Sequence, residues 1–451
     1  MRALAVALIS ACLCRGEWIR VETPGIELFT DAGERSGRAA IGRFEQIRSI
    51  FLQAGISNAP LRLRVFLFDS TNEFHLYHPR TDGFYYPGAD RDYIAFHTGP
   101  ESGRVAFHEY VHMVLRHSAV ALPKWFDEGF SEFYSTAEMD RNRLKIGAPI
   151  DSHVALLASE HRLNAAQLSA GSSDSAFYAE SWALVHMLTL DNRYSPGFRA
   201  MVDAMKEGDT IEALRKAYGR PIEKVQQDLQ AYLHGGSFNA AVFHVQLPAS
   251  VDAPRIEIDA SMKARLALAE LLSNDRSKLD RALAAYQALS RDYENRWEIE
   301  QGWGEFLARE RKNIEAVEHL ARAAGLGSDD PRMYVRYARV LSMTNRDGEA
   351  TGALKTALKL DPTSDDAHFE LAVTLVRTGS YREALAEFHA IKHLSPEHAY
   401  RYFYHLAEAH YRVGDIAQTR LLIEKGRAKT RNPEEIAALN RLQQSLDRAK
   451  R

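Results

Sequence analysis

The stretch Val105 to Ser118, VAFHEYVHMVLRHS, sets a histidine, a glutamate and a second histidine into an otherwise apolar run. Its apolar positions recur with a helical period, and residues four apart on a helix share a face. His108 and His112 therefore point the same way and can hold one zinc ion through imidazole nitrogens, with Glu109 projecting beside them. A zinc-activated water attacking a carbonyl needs a carboxylate to take its proton. A glutamate next to the first histidine reaches that water without ligating. Buried without a metal, the three polar groups would be costly unpaired atoms.

A catalytic zinc takes three protein ligands and leaves a fourth position open. The next helical segment, LPKWFDEGFSEFY, offers Asp127, Glu128 and Glu132. Here the residues resemble the gluzincin metallopeptidases, in which H-E-x-x-H is followed by a helix carrying E-G-[FL]-[AS]. The segment in this chain is EGFS, and the resemblance implies Glu128 as the third zinc ligand. Fifteen residues separate His112 from Glu128, fewer than in aminopeptidase N-like enzymes, which implies a shorter loop between the helices. Gluzincins often keep an acid one turn after the ligand to receive the free N–H of a ligating histidine. That acid maps to Glu132, whose other reading is a solvated helix-surface residue.

YAESWALVHML can be laid without gaps on the Y-x-K-G-A-x-x-x-x-x-L helix of aminopeptidase N-like enzymes. The resemblance implies that the Tyr178 hydroxyl stabilises the oxyanion, although Glu180-Ser181 stands where the family has Lys-Gly. A packing tyrosine at a helix start is the alternative. Ser181, Trp182 and His186 read as packing or pocket wall, and no G-x-S-x-G elbow points to a serine nucleophile. The family's G-x-M-E-N stretch, whose glutamate holds a substrate α-amine, has no counterpart in RDYIAFHTG, so exopeptidase specificity is not carried over. That strand is expected at a sheet edge, where an extended peptide can pair with it.

Outward from this centre, Trp18 to about Pro100 alternates between strands and a helix. WIRVET, IELFTD, LRLRVFLFD and DYIAFHT are β-branched or aromatic runs of strand length. Between the second and third, Glu34 to Ala54 places Ala40, Phe44, Ile47, Ile50 and Phe51 at helical spacing. From about Arg104 to Leu233 the periods are mainly helical, HGGSF marks a break, and VFHVQLP reads as one more strand. WIRVETPGIELFTDAGE, HEYVH, LPKWFDEGFSEFYS and FYAESWALVHML, in this order, resemble a group of bacterial peptidase MA-like proteins that often carry tetratricopeptide repeats.

The C-terminal part is repetitive. Trp303, Tyr337 and Leu371 recur at intervals of 34, as do Ala316, Ala350 and Ala384, and Leu320, Leu354 and Phe388. Weaker copies sit at Leu268 and Leu406. LAVTLVRTGSYREALAEFHAIKHLSP, with Gly379 at the turn and Pro396 closing the unit, resembles the tetratricopeptide repeat. The resemblance covers about five units from Ser261 to Arg427, with a polar capping helix from Asn432 and Pro433. Asn345 replaces the turn glycine of one unit, and the first unit carries an insertion around Arg276 to Lys278.

The chain has 451 residues, 45% hydrophobic and 26% charged, enough for two or three domains with real cores. Its formal net charge of -3, with Lys and Arg scattered among acids, argues against a nucleic-acid partner. Both cysteines lie in MRALAVALISACLC, a run too short to span a bilayer that reads as a secretory signal. ISAC within it resembles a lipoprotein cleavage box, which implies a lipid anchor at Cys12; an ordinary signal peptide or a mis-assigned start is the alternative. The expected architecture is an α+β zincin-like catalytic domain followed by an all-α tetratricopeptide-repeat solenoid. Residues 1–14 form the signal-like segment, 15–250 the metallopeptidase domain (an α/β lobe over 15–100, a helical lobe over 101–250) and 251–451 the repeats. The expected protein is an exported, periplasmic or membrane-anchored zinc metallopeptidase. His108, His112 and Glu128 would hold the metal, Glu109 would be the general base, and Tyr178 would face the oxyanion. Its partners would be a peptide or protein substrate and a protein bound through the repeats. The alternatives are an inactive zincin-fold scaffold acting through its repeats, and a hydrolase of some non-peptide substrate.

Overall fold

The structure is a computed structural model describing residues 17–53, 62–88, 91–117, 122–140, 142–158, 171–172, 174–206, 209–235, 238–245 and 253–448. The signal-like segment 1–14, with the export and Cys12 readings, lies outside the described residues.

Alternating β-branched residues form β1 (Ile19–Thr23) and β2 (Ile26–Thr30), an antiparallel hairpin that turns at Gly25 with φ +97. Only glycine adopts that angle without strain. α1 (Gly33–Gln53) then lays Ile41, Phe44, Ile47 and Phe51 into the core beneath the sheet. β3 (Leu63–Phe68), buried at every position, runs parallel to β2. After the short helix α2 (Thr71–His75) come β4 (Gly83–Pro87) and β5 (Asp92–His97).

β5 is parallel to β3 on one side and antiparallel to β4 on the other, in a sheet of order β4-β5-β3-β2-β1 with a further strand beyond β1. The strand expected at the edge is therefore internal, and its ladder hydrogen bonds are spent on both sides. β4, GFYYP, holds the edge instead, ending in a proline of the kind edge strands tolerate.

The HEYVH and EGFS segments follow on α3 (Ser102–His117) and α4 (Lys124–Ser135). A hairpin of β6 (Glu138–Asp140) and β7 (Arg143–Ile146) leads to α5 (Asp151–Leu157) and then α6 (Ser175–Leu190). α7 (Phe198–Met205), α8 (Thr210–Tyr218) and α9 (Ile222–His234) complete the helices of this lobe. β8 (Ala241–His244) adds to β7, so the lobe read as helical also contains a three-stranded sheet, β6-β7-β8. β9 (Arg255–Glu257) returns to pair with β1 and closes the far end of the main sheet. One apolar core joins the inner face of that sheet to α1, α3, α4, α6 and the helices after it.

The chain divides into two compact units, Met1–Arg265 and Leu266–Arg451. The division falls beyond the boundary read at 250, because β9 belongs to the first sheet. α10 (Ser261–Ser273) runs across it, and α11 (Leu279–Asp292) follows a single 3-10 turn at Arg276–Lys278, where the sequence carries its insertion. Four packed helical hairpins come next: α12 (Trp297–Arg309) with α13 (Asn313–Gly325), and α14 (Pro331–Met343) with α15 (Asp347–Leu360). The other two are α16 (Asp365–Arg377) with α17 (Tyr381–Ala390), and α18 (Ala399–Arg412) with α19 (Ile416–Arg427). α20 (Pro433–Arg448) ends the array.

The 34-residue register reappears as burial: Ala316, Ala350, Ala384, Leu320, Leu354 and Phe388 are all fully buried where the hairpins meet. The turn inside the third of these hairpins uses Gly379 at φ +85, and Asn345 takes the same left-handed conformation at φ +61 in the second. Asparagine tolerates that region better than most residues, which explains how the repeat survives without its glycine.

Candidate metal centre

α3 turns Ala106, Phe107, Tyr110, Val111 and Met113 inward and leaves His108, Glu109 and His112 only partly covered. α4 packs against that side and buries Glu128, Ser131 and Glu132. The close fit of the next helix depends on Gly129: a Cβ there would stand 2.3 Å from the Ser181 carbonyl oxygen and 2.9 Å from Val185. With no side chain in the way, α6 comes close enough for Tyr178 to reach Glu128. The first turn of α6 is held by the Asp174 carboxylate, which accepts the Phe177 N–H at 2.7 Å.

One ligand atom each of His108, His112 and Glu128 lies within 4.8 Å of the other two. His108 Nε2 and His112 Nε2 are 3.0 Å apart, and Glu128 Oε2 stands 3.5 Å from the first and 3.2 Å from the second. Ligands at zinc distances on a tetrahedron define edges of about 3.3 Å, so the three side chains fit a zinc ion. Glu128 Oε2 is a buried atom with no hydrogen-bond partner among the described residues. A cation among these three atoms would remove the cost of that isolation.

The electrostatics agree with a site made for positive charge. Burial alone would raise the Glu128 carboxyl, but the facing imidazoles of His108 and His112 hold it far below the usual carboxylate range. Burial works against a charged His112, yet its hydrogen bond to Asp127 and the facing Glu128 carboxylate lift it well above its ordinary value. Glu109 contributes to the upward shift at both His112 and Tyr178. Its negative charge is therefore felt at the centre although it makes none of the three ligand contacts.

Tyr178 donates its hydroxyl to Glu128 Oε1 at 3.2 Å. Burial first, then the charge of Glu128, pushes the phenol well above its ordinary range, so it stays a donor at neutral pH. Glu132 faces His108 Nδ1 through Oε1 at 3.5 Å, while Arg104 donates to its Oε2 at 2.7 Å. Burial would raise this acid, but the charge of His108 and the neighbouring His153 and Arg104 hold it at about 2. It is 6% exposed, so it is not the solvated acid of the alternative reading.

Three neighbours were absent from the sequence reading as supporting groups. Asp127, there only a rival for third ligand, meets His112 Nδ1 at 2.9 Å, with Ser131 Oγ at 3.3 Å from the same nitrogen. Arg104 precedes His108 by one helical turn, a spacing visible in the sequence. His153 comes from α5, and nothing in its local sequence points to this place.

In the second unit, a family profile described as Tetratricopeptide repeat matches residues 348–404. Residues 348–404 are a tetratricopeptide-repeat region, set within a C-terminal array of similar helical hairpins. The site residues fall outside that match, and no curated protein matches the chain. Among solved structures, YrrB, described as a TPR protein with an unusual peptide-binding site, is 22% identical over 39% of this chain and 89% of its own, with a TM-score of 0.35. MamA is 17% identical over 37% of this chain and 92% of its own, with a TM-score of 0.33. PilW, described as a widely conserved type IV pilus biogenesis factor, is 16% identical over 42% and 87%, with a TM-score of 0.36.

Proposed function

We propose that this protein is a zinc-dependent metallopeptidase of the gluzincin type whose tetratricopeptide repeats recruit its substrate or a protein partner. The observation that carries the reading is the convergence of His108, His112 and Glu128, with buried Glu128 Oε2 lacking a hydrogen-bond partner among the described residues. Zinc bound there would supply Lewis acidity, polarising a peptide carbonyl and making a water easier to deprotonate. Glu109 is the base in this scheme: its carboxylate accepts the water proton and delivers it to the departing amine. Tyr178 supplies a neutral hydroxyl donor, and it turns from Glu128 Oε1 toward the developing oxyanion. β4, the terminal strand of the sheet among the described residues, is where an extended substrate chain would add as a further strand. Export, with or without a lipid on Cys12, belongs to this proposal on the sequence of residues 1–14 alone. Among the described residues no helix is long and apolar enough to cross a membrane.

A second reading, an inactive scaffold acting in protein–protein interaction through its repeats, is favoured by the family match at residues 348–404. The experiment that separates the two is elemental mass spectrometry of the full chain purified without chelator, beside His112→Ala and Glu109→Gln. The enzyme reading expects about one zinc per chain, lost in His112→Ala and kept in Glu109→Gln, with peptide-library hydrolysis present in the parent and absent in Glu109→Gln. A chain that neither carries zinc nor takes it up sinks the enzyme reading. Hydrolysis that survives in Glu109→Gln removes the assigned base.

A further inference from the structure

Glu132, on α4, is gripped by three side chains from two other elements, α3 and α5. Its Oε2 accepts from Arg104 Nη1 at 2.7 Å and lies 3.4 Å from Nε2 of His153, a residue 7% exposed on α5. Its Oε1 faces His108 Nδ1 at 3.5 Å, and that nitrogen is buried with no hydrogen-bond partner among the described residues. A carboxylate held through one oxygen from outside cannot rotate freely, so its other oxygen stays aimed at the imidazole. An imidazole anchored at Nδ1 presents Nε2 to the opposite side, where His112 and Glu128 wait. The second arm of Arg104 is fixed as well, since its Nε donates to Glu101 at 2.7 Å.

We infer that Arg104 and His153 are positioning residues for the metal centre, acting through Glu132 to set the ring of His108. The inference rests on the zinc reading above and adds to it a layer that touches neither the metal nor the substrate. Arg104 is accessible enough to be changed gently: it lines an open cavity of about 1150 Å³ together with Arg43, Phe107 and Ile150. Its removal therefore deletes the ion pairs to Glu132 and Glu101 and leaves the apolar core intact.

The test uses the full chain and measures zinc dissociation constants by competition with a chromophoric chelator. The visible absorption of the cobalt-substituted protein reports the geometry of the ligands. Arg104→Gln and His153→Gln are expected to weaken zinc about tenfold, in the range for groups that orient a ligand, and to shift the cobalt band. Arg104→Lys restores most of the affinity, and Glu101→Gln, which removes only the outer partner, matches the parent. Parental affinity and spectrum in both glutamine variants overturn the inference. A lower melting temperature of the metal-free chain with unchanged affinity assigns a purely structural role and overturns it equally. Failure of the unaltered chain to bind zinc removes the reading beneath it, and this shows in the parent before any variant is examined.

Discussion

His186 is a histidine kept neutral. Its Nε2 donates to the Gly147 carbonyl at 2.9 Å and its Nδ1 meets the Tyr232 hydroxyl at 2.7 Å, an arrangement satisfied by one ring proton. Burial lowers it from 6.5 to about 4, and the Gly147 bond only partly offsets that. A histidine depressed in the fold gives stability that is fully present above its unfolded value. That stability is lost as pH falls from about 6.5 toward 4, and the shift corresponds to up to about 3 kcal/mol. Glu180 runs the other way. Burial, then Asp174, raises it from 4.5 to about 7, and its Oε1 has no hydrogen-bond partner among the described residues. Its contribution is present at acid pH and lost as pH rises through 7. Chemical unfolding across pH 4 to 8 should therefore show a flatter acid limb in His186→Gln, and Glu180→Gln should be more stable than the parent above pH 7. Unchanged pH profiles in both variants would show that neither group titrates as the fold implies.

The α4–α6 contact is where a glycine decides the centre. Gly129→Ala has to push the Ser181 carbonyl away, and overpacking of this kind costs about 1–3 kcal/mol. The expected result is a lower denaturant midpoint at unchanged slope, with weaker zinc binding because Tyr178 is carried away from Glu128. A variant as stable as its parent would mean that the two helices tolerate greater separation. The same elements show what could be read without coordinates. β1, β2, β3 and β5 announced themselves through β-branched and aromatic runs, and α3, α4 and α6 through period and motif. β4 did not, because GFYYP is short and ends in proline, nor did β6 and β9, whose three residues each form strands only because a partner strand is present. The convergence of His108 and His112 follows from helical spacing, and that of Glu128 from the resemblance carried by EGFS. Asp127 was legible only as a competitor, since its neighbour Glu128 points elsewhere on the same helix. His153 could not be found at all, because the packing of α5, and no local pattern, brings it to Glu132.

The division into two compact units has a thermodynamic signature. On the proposed zinc reading, metal at a hundredfold excess over its dissociation constant would add about 2.7 kcal/mol to whatever unfolds together with the site. Calorimetry should thus resolve two transitions, only one of which moves when metal is added or chelated. Both moving together would mean that the units melt as a single block. The six-stranded sheet also carries a constraint of timing. β1 is made well before its outer neighbour β9, which lies more than two hundred positions downstream. During synthesis from the N-terminus, one side of β1 stays without its strand while α3, α4 and α6 emerge from the ribosome. Sheet closure is then a late, long-range event. Until Arg255–Glu257 arrives, the nascent chain exposes an unpaired edge to any other extended segment, and in the cell that interval is when a chaperone has most to protect.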